Sequence, residues 1–400
     1  MIPTTGRASV GEWQEHADPQ RTRENEHYGF RFDIKKSSAF DPALPVRQPD
    51  GSEKRVDVRT IPVWNFDQNE AHTEGLYGVV IAANGDNQPD APIRDDGMLK
   101  RIRSIDWTGP DARHPHRISN LRIWEGHYAF RPHSPNMRME NVRIHHTEYG
   151  IYRPNFDNQE FVNLHLSDLG SEPFNRGMDD ASAQEGKISV DGLIVEKMRN
   201  NAQAHPVVHM TDNNLSGEAE CHFRRVEVRD CHPKRAIFNR GGSVRADPFV
   251  AKGVPYFLHD HFGPGRHALV ASTRAADLYD EAKFQRDDPF TGDESAIAEI
   301  DADLEWPKLL DPVDDEPPAT VILGATRQGD RVLVRGVAHD NESVAEVRVN
   351  GSLAVLSPAA KGVADWQIEI ALPPNGEIAA KAKDAAGNAE LTPHAGRWEF

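Results

Sequence analysis

The sequence predicts an all-β protein, in which a right-handed parallel β-helix is followed by a small immunoglobulin-like β-sandwich. Similar stretches beginning at Leu121, Val142 and Val162 recur at offsets of 21 and 20 residues. A period of about 20 residues with one short strand each is typical of a solenoid. Only 38% of the residues are hydrophobic, which suits a narrow solenoid core. Beyond residue 318, apolar and polar residues alternate between Asn-Gly turns, as in half-buried strands.

The repeated stretches define the coils of the predicted β-helix. Each opens with an apolar-x-apolar triplet and continues with polar residues. Leu193 and Val226 open two further strands at offsets of 31 and 33 residues. We therefore expect inserted loops near residues 171–186 and 212–220. Asparagines lie beside the first residue of each close repeat, where we expect Asx turns at the coil corners: Asn120, Asn141 and Asn163.

Three segments follow from these patterns. Residues 1–275 are the predicted β-helix domain, with an irregular N-terminal segment. Residues 276–318 form an acidic, proline-rich linker, and residues 319–400 form the sandwich. Within the sandwich, the motifs around Asp340 and Asp384 resemble those of bacterial immunoglobulin-like domains. Both aspartates, with Asn388, have two interpretations, as Ca²⁺ ligands at one end of the sandwich and as ordinary turn residues.

Charge and hydropathy narrow the classes of function. The formal net charge of −17 argues against a general nucleic-acid-binding protein, which would carry a basic face. No apolar run is long enough for a transmembrane helix, so we expect no membrane insertion. The N-terminus has no signal-peptide pattern. The chain is then either intracellular, or the mature part or a fragment of a larger secreted protein, and we favour the fragment. We expect an extracellular or cell-surface location, with other domains of the parent protein as potential partners.

One further motif points to a family. The segment Phe66-Asp-Gln-Asn-Glu-Ala-His-Thr73, followed by Gly75-Leu-Tyr-Gly-Val-Val-Ile81, resembles a segment of the cell-migration-inducing and transmembrane hyaluronidases and the fibrocystin-like proteins. There an Asn-x-x-Ala-His-Ser motif precedes a short apolar strand. The resemblance covers about residues 25–270 and implies a β-helix that acts on an extracellular polysaccharide. The chain lacks the family's eight-glycine domain, and Thr73 stands where serine is usual.

Aligning the three close coils predicts a corner column of His127, Glu148 and Asp168. Equivalent positions of stacked coils lie about 4.8 Å apart, so carboxylates in such a column suit the acid and base of a glycosidase. A histidine beside them would tune their protonation. We therefore propose these three as the candidate catalytic residues. The competing interpretation is a solvated polar ladder.

A second column predicts the substrate-binding side. Trp124, His145 and His165 align on one outward column, where the indole would stack on a sugar ring. Arg199 is the candidate that would bind a uronate carboxylate, with Arg229 as the alternative. If the reaction is a lyase reaction, it also needs a cation, and Asp179 and Asp180 in the first inserted loop are candidate Ca²⁺ ligands.

These observations predict a secreted or surface β-helix protein that recognises an extracellular polysaccharide. Cleavage, as a hydrolase or a lyase, is a further hypothesis from the candidate catalytic column. The alternative is a non-catalytic surface or adhesion module whose ladders serve only the fold. The sandwich would act as a spacer or anchor in either case.

Overall fold

The computed structural model describes residues 28–33, 41–48, 51–72, 76–82, 85–87, 105–107, 109–152, 154, 157–175, 187–199, 207–209, 220–231, 256–270, 298–300 and 303–400. In these residues the regular structure is β-strand, apart from one 3-10 turn at Val58–Thr60. The all-β prediction is confirmed. The chain divides into two compact units. The first comprises Met1–Pro42 and Val58–Asp311, and the second Ala43–Asp57 and Pro312–Phe400.

The strands run in chain order as follows: β1 Tyr28–Asp33, β2 Ala43–Arg47, β3 Glu53–Asp57, β4 Phe66–Asp67, β5 Glu70–His72, β6 Tyr77–Ala82, β7 Gly85–Asn87, β8 Ile105–Trp107, β9 His116–Ser119, β10 Arg122–His133, β11 Met137–Tyr152, β12 Gln159–Ser167, β13 Glu172–Asn175, β14 Lys187–Glu196, β15 Val208–His209, β16 Glu220–Arg229, β17 Tyr256–His259, β18 His267–Val270, β19 Ala298–Ile300, β20 Ala319–Gln328, β21 Arg331–His339, β22 Val344–Val349, β23 Ser352–Leu353, β24 Val355–Ala360, β25 Val363–Ala371, β26 Glu377–Asp384 and β27 His394–Arg397.

The first unit is dominated by one large, mostly parallel sheet of 15 strands. Its main path runs β1-β6-β10-β11-β12-β14-β16-β17, and each step of that path is parallel. Only β17-β18 and β18-β19 pair antiparallel within it. Parallel neighbours need a crossover between them, and here the chain returns after each repeat to lie beside the preceding one.

Apolar side chains stack in register through the interior of the first unit. One column comes from the strand segments before the first corner: Ile118, Met139, Phe161, Val190, Phe223 and Leu258. A second lies beyond that corner: Ala71, Ile123, Ile144, Leu166 and Val195. A third follows the second corner: Val79, Phe130, Ile151, Phe174 and Val208. Burying each large side chain contributes about 1.5–3 kcal/mol, so a narrow core is sufficient.

Left-handed residues create the corners between these segments. Asn120, Asn141 and Asn163 all have φ between 51° and 56°, a conformation that asparagine tolerates better than most residues. Their side chains are linked, because Nδ2 of Asn141 donates to Oδ1 of Asn120 at 3.2 Å and Nδ2 of Asn163 donates to Oδ1 of Asn141 at 3.1 Å. The predicted asparagine corners are therefore present, and they form a hydrogen-bonded ladder.

The second unit contains two four-stranded antiparallel sheets, β20-β21-β25-β24 and β23-β22-β26-β27. Side chains of both sheets enclose one core around the buried Trp366. Glu390 links the sheets, since Oε1 accepts from the Thr320 amide at 3.0 Å and Oε2 from the Ala382 amide at 2.9 Å. Thr320 lies on β20 and Ala382 on β26.

The second domain was predicted to start at residue 319, and β20 begins at Ala319. The predicted border at residue 275 lies outside the described residues. Two details differ: β19 lies within the segment predicted as linker, and Ala43–Asp57 groups with the second unit.

Candidate functional site

A second set of left-handed residues marks the next corner of the large sheet. Each of its members is the residue directly after one member of a register column, namely Trp124, His145, Ser167, Glu196 and Arg229. The members of the set are Glu125, His146, Asp168, Lys197 and Asp230, with φ between 49° and 55°. None of the five is glycine or asparagine, the residues that adopt this conformation most readily. The two aspartates and the histidine tolerate it better than most other residues do. Along the row, the acidic residues Glu125, Asp168 and Asp230 alternate with His146 and Lys197.

Arg199 joins two of the candidate catalytic carboxylates. Its Nη2 lies 3.9 Å from Oε2 of Glu148, and its Nε lies 3.7 Å from Oδ1 of Asp168. The same guanidinium donates to backbone oxygens, from Nη2 to Thr147 O at 2.5 Å and from Nε to Asp168 O at 3.2 Å. About a third of each of the three charged side chains is exposed to solvent. Arg199 is therefore held by backbone hydrogen bonds, and all three side chains remain partly accessible to solvent.

Gly170 provides the space that the Glu148 carboxylate occupies. A Cβ atom at this glycine would lie 1.9 Å from Oε2 of Glu148, so any larger residue would displace the carboxylate. The amides of Gly170 and Ser171 donate to the carbonyls of Thr147 and Glu148 at 2.9 and 2.7 Å. The position of Glu148 therefore depends on the absence of a side chain one coil away.

The predicted corner column is only partly correct. His127 and Glu148 share a column, because they lie between the partner pairs Gly126–Thr147 and Tyr128–Tyr149. Asp168 does not belong to it. Since His145 pairs with Ser167, Asp168 follows in the row of His146, and Oδ2 of Asp168 lies 2.5 Å from Nδ1 of His146. Arg199, and not stacking, brings Asp168 towards Glu148.

His127 is the most shielded of the candidate catalytic residues. Its ring packs edge-on against Tyr128 and Tyr149, at centroid distances of 4.1 and 4.9 Å. Burial lowers the pKa of His127 to about 3, because charging an imidazole away from water is unfavourable. It is therefore neutral at physiological pH and does not supply a positive charge to Glu148.

The predicted outward column also needs one correction. Trp124 and His145 are register partners, as expected. His165 instead pairs with Arg143, in the neighbouring column. The triplet Val162-Asn-Leu164 was aligned with Val142-Arg-Ile144, whereas the register matches Val142 with Leu164. Asn163 is a left-handed corner and reverses the alternation of side chains, so the inward pair is Leu164 and Leu166.

Together the two outward columns form an exposed strip along four paired strand segments, Glu70–His72, Arg122–Trp124, Arg143–His145 and His165–Ser167. The first column of the strip is Glu70, Arg122, Arg143 and His165. The second, two residues further along each strand, is His72, Trp124, His145 and Ser167. The ring of His72 stacks on that of Trp124, with centroids 4.7 Å and planes 8° apart. Arg122 pairs with Glu70, and Arg143 is exposed with no ion pair to a described residue. The strip therefore carries three histidine rings, one indole and two arginines against one carboxylate, although the chain is acidic overall.

A tyrosine column beside this site was not predicted. Tyr28, Tyr77, Tyr128 and Tyr149 stack on successive strands, with centroids 5.5, 4.8 and 4.7 Å apart. Burial, the charge of Glu172, Tyr128 and the charge of Glu148 raise the pKa of Tyr149, so its hydroxyl stays protonated. The available signal was a tyrosine at matching positions of consecutive coils.

The predicted metal ligands Asp179 and Asp180 lie outside the described residues. Within the described part, one group of acidic residues has its carboxylates close enough for a shared cation: Asp314, Asp340 and Asp384 of the second unit. No helix of the described part is both long and apolar enough to cross a membrane. No protein-family model, curated protein or solved structure matches this chain.

Proposed function

We propose that the first unit is a parallel β-helix and that the second is an immunoglobulin-like sandwich. Three interior columns in parallel register, separated by two rows of left-handed corner residues, support the first assignment. Two antiparallel sheets around one core support the second. The resemblance of residues 25–270 to the hyaluronidase and fibrocystin-like family is part of the same proposal.

The function that the geometry favours is recognition of an acidic extracellular polysaccharide along the exposed strip. The observation that carries it is the register of Trp124 with His72 and His145, beside a column that contains Arg122 and Arg143. A row of aromatic and imidazole rings can stack on the apolar faces of sugars, and guanidinium groups can form ion pairs with their carboxylates. Successive coils would present equivalent groups to successive sugars of an extended chain.

Cleavage is a second candidate function, and the Arg199 cluster is the observation that favours it. Glu148 and Asp168 are partly exposed carboxylates that contact one guanidinium. In a hydrolase one of them would transfer a proton and the other would act as nucleophile or base. In a lyase Arg199 would neutralise the uronate carboxylate while a carboxylate takes the α-proton. A non-catalytic adhesion module would use the strip alone.

The binding test is affinity electrophoresis and calorimetry with polygalacturonate, alginate and hyaluronan. Dextran is the neutral control and single-stranded DNA the control for general polyanion binding. We expect an acidic polysaccharide to bind, and Trp124→Ala and Arg143→Gln each to weaken it about 10-fold, or about 1.4 kcal/mol. Arg335→Gln changes an exposed arginine of the second unit and should leave binding unchanged.

Four outcomes are distinguishable. If Arg335→Gln lost as much affinity as Trp124→Ala and Arg143→Gln, the strip would not be the specific binding site. The same would follow if the protein bound DNA as tightly as the polysaccharide. Shortening of the bound polysaccharide with new ultraviolet absorbance would identify a lyase, and shortening without it a hydrolase. Glu148→Gln and Asp168→Asn should then abolish shortening without abolishing binding. Binding without shortening would leave the adhesion module as the function.

A further inference from the structure

Three carboxylates from separate segments meet at one end of the second unit. They belong to Asp314 before β20, Asp340 after β21 and Asp384 at the end of β26. One oxygen of each lies within 4.8 Å of the others. Asp340 and Asp384 are only 3% and 2% exposed. Burying two charged carboxylates beside a third lowers the stability of the folded state unless another group compensates their charge.

Backbone turns fix these side chains in place. Oδ1 of Asp340 accepts the amides of Glu342 and Ser343 at 2.8 and 2.7 Å. Oδ1 of Asp384 accepts the amides of Gly387 and Asn388 at 2.6 and 2.7 Å. These bonds account for Oδ1 of Asp340 and Oδ1 of Asp384.

Asn388 ties the third segment to the other two. Its Nδ2 donates to Oδ2 of Asp384 at 2.7 Å and to the carbonyl oxygen of Asp314 at 3.0 Å. One amide therefore contacts two of the three aspartates. The segment that carries Asp314 is thereby held next to the turn that follows β26, and the group is preorganised.

The second carboxylate oxygen of Asp340 receives no hydrogen bond. This atom, Oδ2, is buried. Neither Asp340 nor Asp384 has a lysine or arginine within 4.0 Å among the described residues. The amide group of the adjacent Asn341, a residue that is 5% exposed, is also buried without a partner. Buried polar atoms without partners are rare in folded proteins and require an explanation.

We propose that Asp314, Asp340 and Asp384 bind one divalent cation, and that Ca²⁺ is the preferred ion. All available donors are oxygens, which hard cations select. Ca²⁺ accepts six to eight oxygen ligands in flexible geometry, whereas Mg²⁺ requires a strict octahedron. The unpartnered Oδ2 of Asp340 becomes a ligand, and the cation compensates the buried negative charge. The site lies in the second unit, so it does not depend on polysaccharide binding.

The consequence is that the cation stabilises the second unit. Asp340→Asn keeps the oxygen that accepts the two turn amides but removes the charge. In EDTA we therefore expect this variant to unfold at the same temperature as the wild type or higher. In Ca²⁺ at 100 times the Kd, the wild-type second unit should gain about 10 °C or more, and Asp340→Asn should gain much less.

The experiment uses the full chain, with thermal unfolding followed by hydrogen exchange in β20–β27 and Ca²⁺ counted by calorimetry. Asp340→Asn should bind one Ca²⁺ fewer than the wild type. Asp365→Asn is the matched control, because Asp365 is exposed on β25, and it should retain the wild-type gain and stoichiometry. Mg²⁺ should give a smaller shift at equal concentration. If Asp340→Asn fails to fold, the half-buried Asp314→Asn replaces it.

The proposal is overturned if Ca²⁺ leaves the unfolding temperature of the second unit unchanged from that in EDTA. It is also overturned if Asp340→Asn and Asp314→Asn keep the full Ca²⁺-dependent gain and the same number of bound ions. Loss of the gain in Asp365→Asn would show that general surface charge, and not this group, determines the response.

Discussion

Nδ1 of His146 lies 2.5 Å from Oδ2 of Asp168, and both residues have left-handed backbone conformations on neighbouring coils. A left-handed conformation is unfavourable for residues other than glycine by about 1–2 kcal/mol. Polar side chains that bond to one another offset part of this cost. The chain therefore builds its second corner from charged residues and a histidine, with a hydrogen bond between His146 and Asp168, whereas it builds the first corner from an asparagine ladder.

We expect the residue at position 146 to be selected by backbone conformation as well as by its partner. Asparagine tolerates φ near 52°, the value at this position, so His146→Asn should change the free energy of unfolding by less than about 0.5 kcal/mol. His146→Val should lower it by about 1–2 kcal/mol, because a β-branched residue is disfavoured there. Urea denaturation, with hydrogen exchange in β10–β12 to assign the transition, measures both.

His145→Val is the control, since His145 is exposed in an extended strand where valine is favoured. If valine at position 146 is no more destabilising than valine at position 145, corner conformation does not select the residue.

Gly150 and Gly170 should respond differently to the same substitution. A Cβ at Gly150 would lie 2.2 Å from the carbonyl oxygen of Pro173 and 2.8 Å from Cδ2 of Leu169, whereas at Gly170 its three nearest atoms all belong to the end of the Glu148 side chain. Backbone cannot move aside as a flexible carboxylate can. Gly150→Ala should therefore destabilise the first unit by about 2–3 kcal/mol, and Gly170→Ala by less than about 1 kcal/mol.

A crystal structure of Gly170→Ala supplies the second readout. Glu148 should turn away from Arg199 while the backbone stays in place. Equal destabilisation by both alanines, or an unmoved Glu148, would contradict the assigned role of Gly170.

Several strands and corners of the first unit could be predicted from the sequence, because repeated apolar triplets and the asparagines beside them are visible in short stretches of the chain. The strands after Leu121 and Val142 and the asparagine corners are where the pattern placed them. The register of the third repeat was not readable. Val162-Asn-Leu164 and Leu164-His-Leu166 are both apolar-x-apolar, and only the left-handed Asn163 decides which pair faces inward.

The contacts of the candidate site depend on features that have no local signal. Arg199 reaches Glu148 and Asp168 from a segment 51 and 31 residues away, and the lengths of the intervening connections set that contact. The aspartates of the second unit were visible as turn motifs at residues 340 and 384. Asp314 was not, because its place beside them follows from packing of the segment before β20.

The buried histidines of the first unit should make it sensitive to acid. Burial lowers the pKa of His116 to about 4 and that of His259 to about 4. The Val63 amide donates to Nδ1 of His116 at 2.9 Å, so a proton on that nitrogen would also break a hydrogen bond. Both values lie below the 6.5 of an unfolded histidine.

Between pH 6.5 and about 4 the unfolded chain therefore binds protons that the folded chain does not, so stability is lost as the pH falls through this range. For His116 alone the loss is about 3 kcal/mol at pH 4. Urea denaturation of the first unit from pH 7 to pH 4 should show this decline, and His116→Asn, which keeps an acceptor for Val63, should make it shallower. Glu390 of the second unit has the opposite effect. Burial raises its pKa, so its contribution to the free energy of unfolding falls as the pH rises. We therefore expect no loss of stability in acid from Glu390. A wild-type slope retained in His116→Asn would show that other groups cause the acid sensitivity.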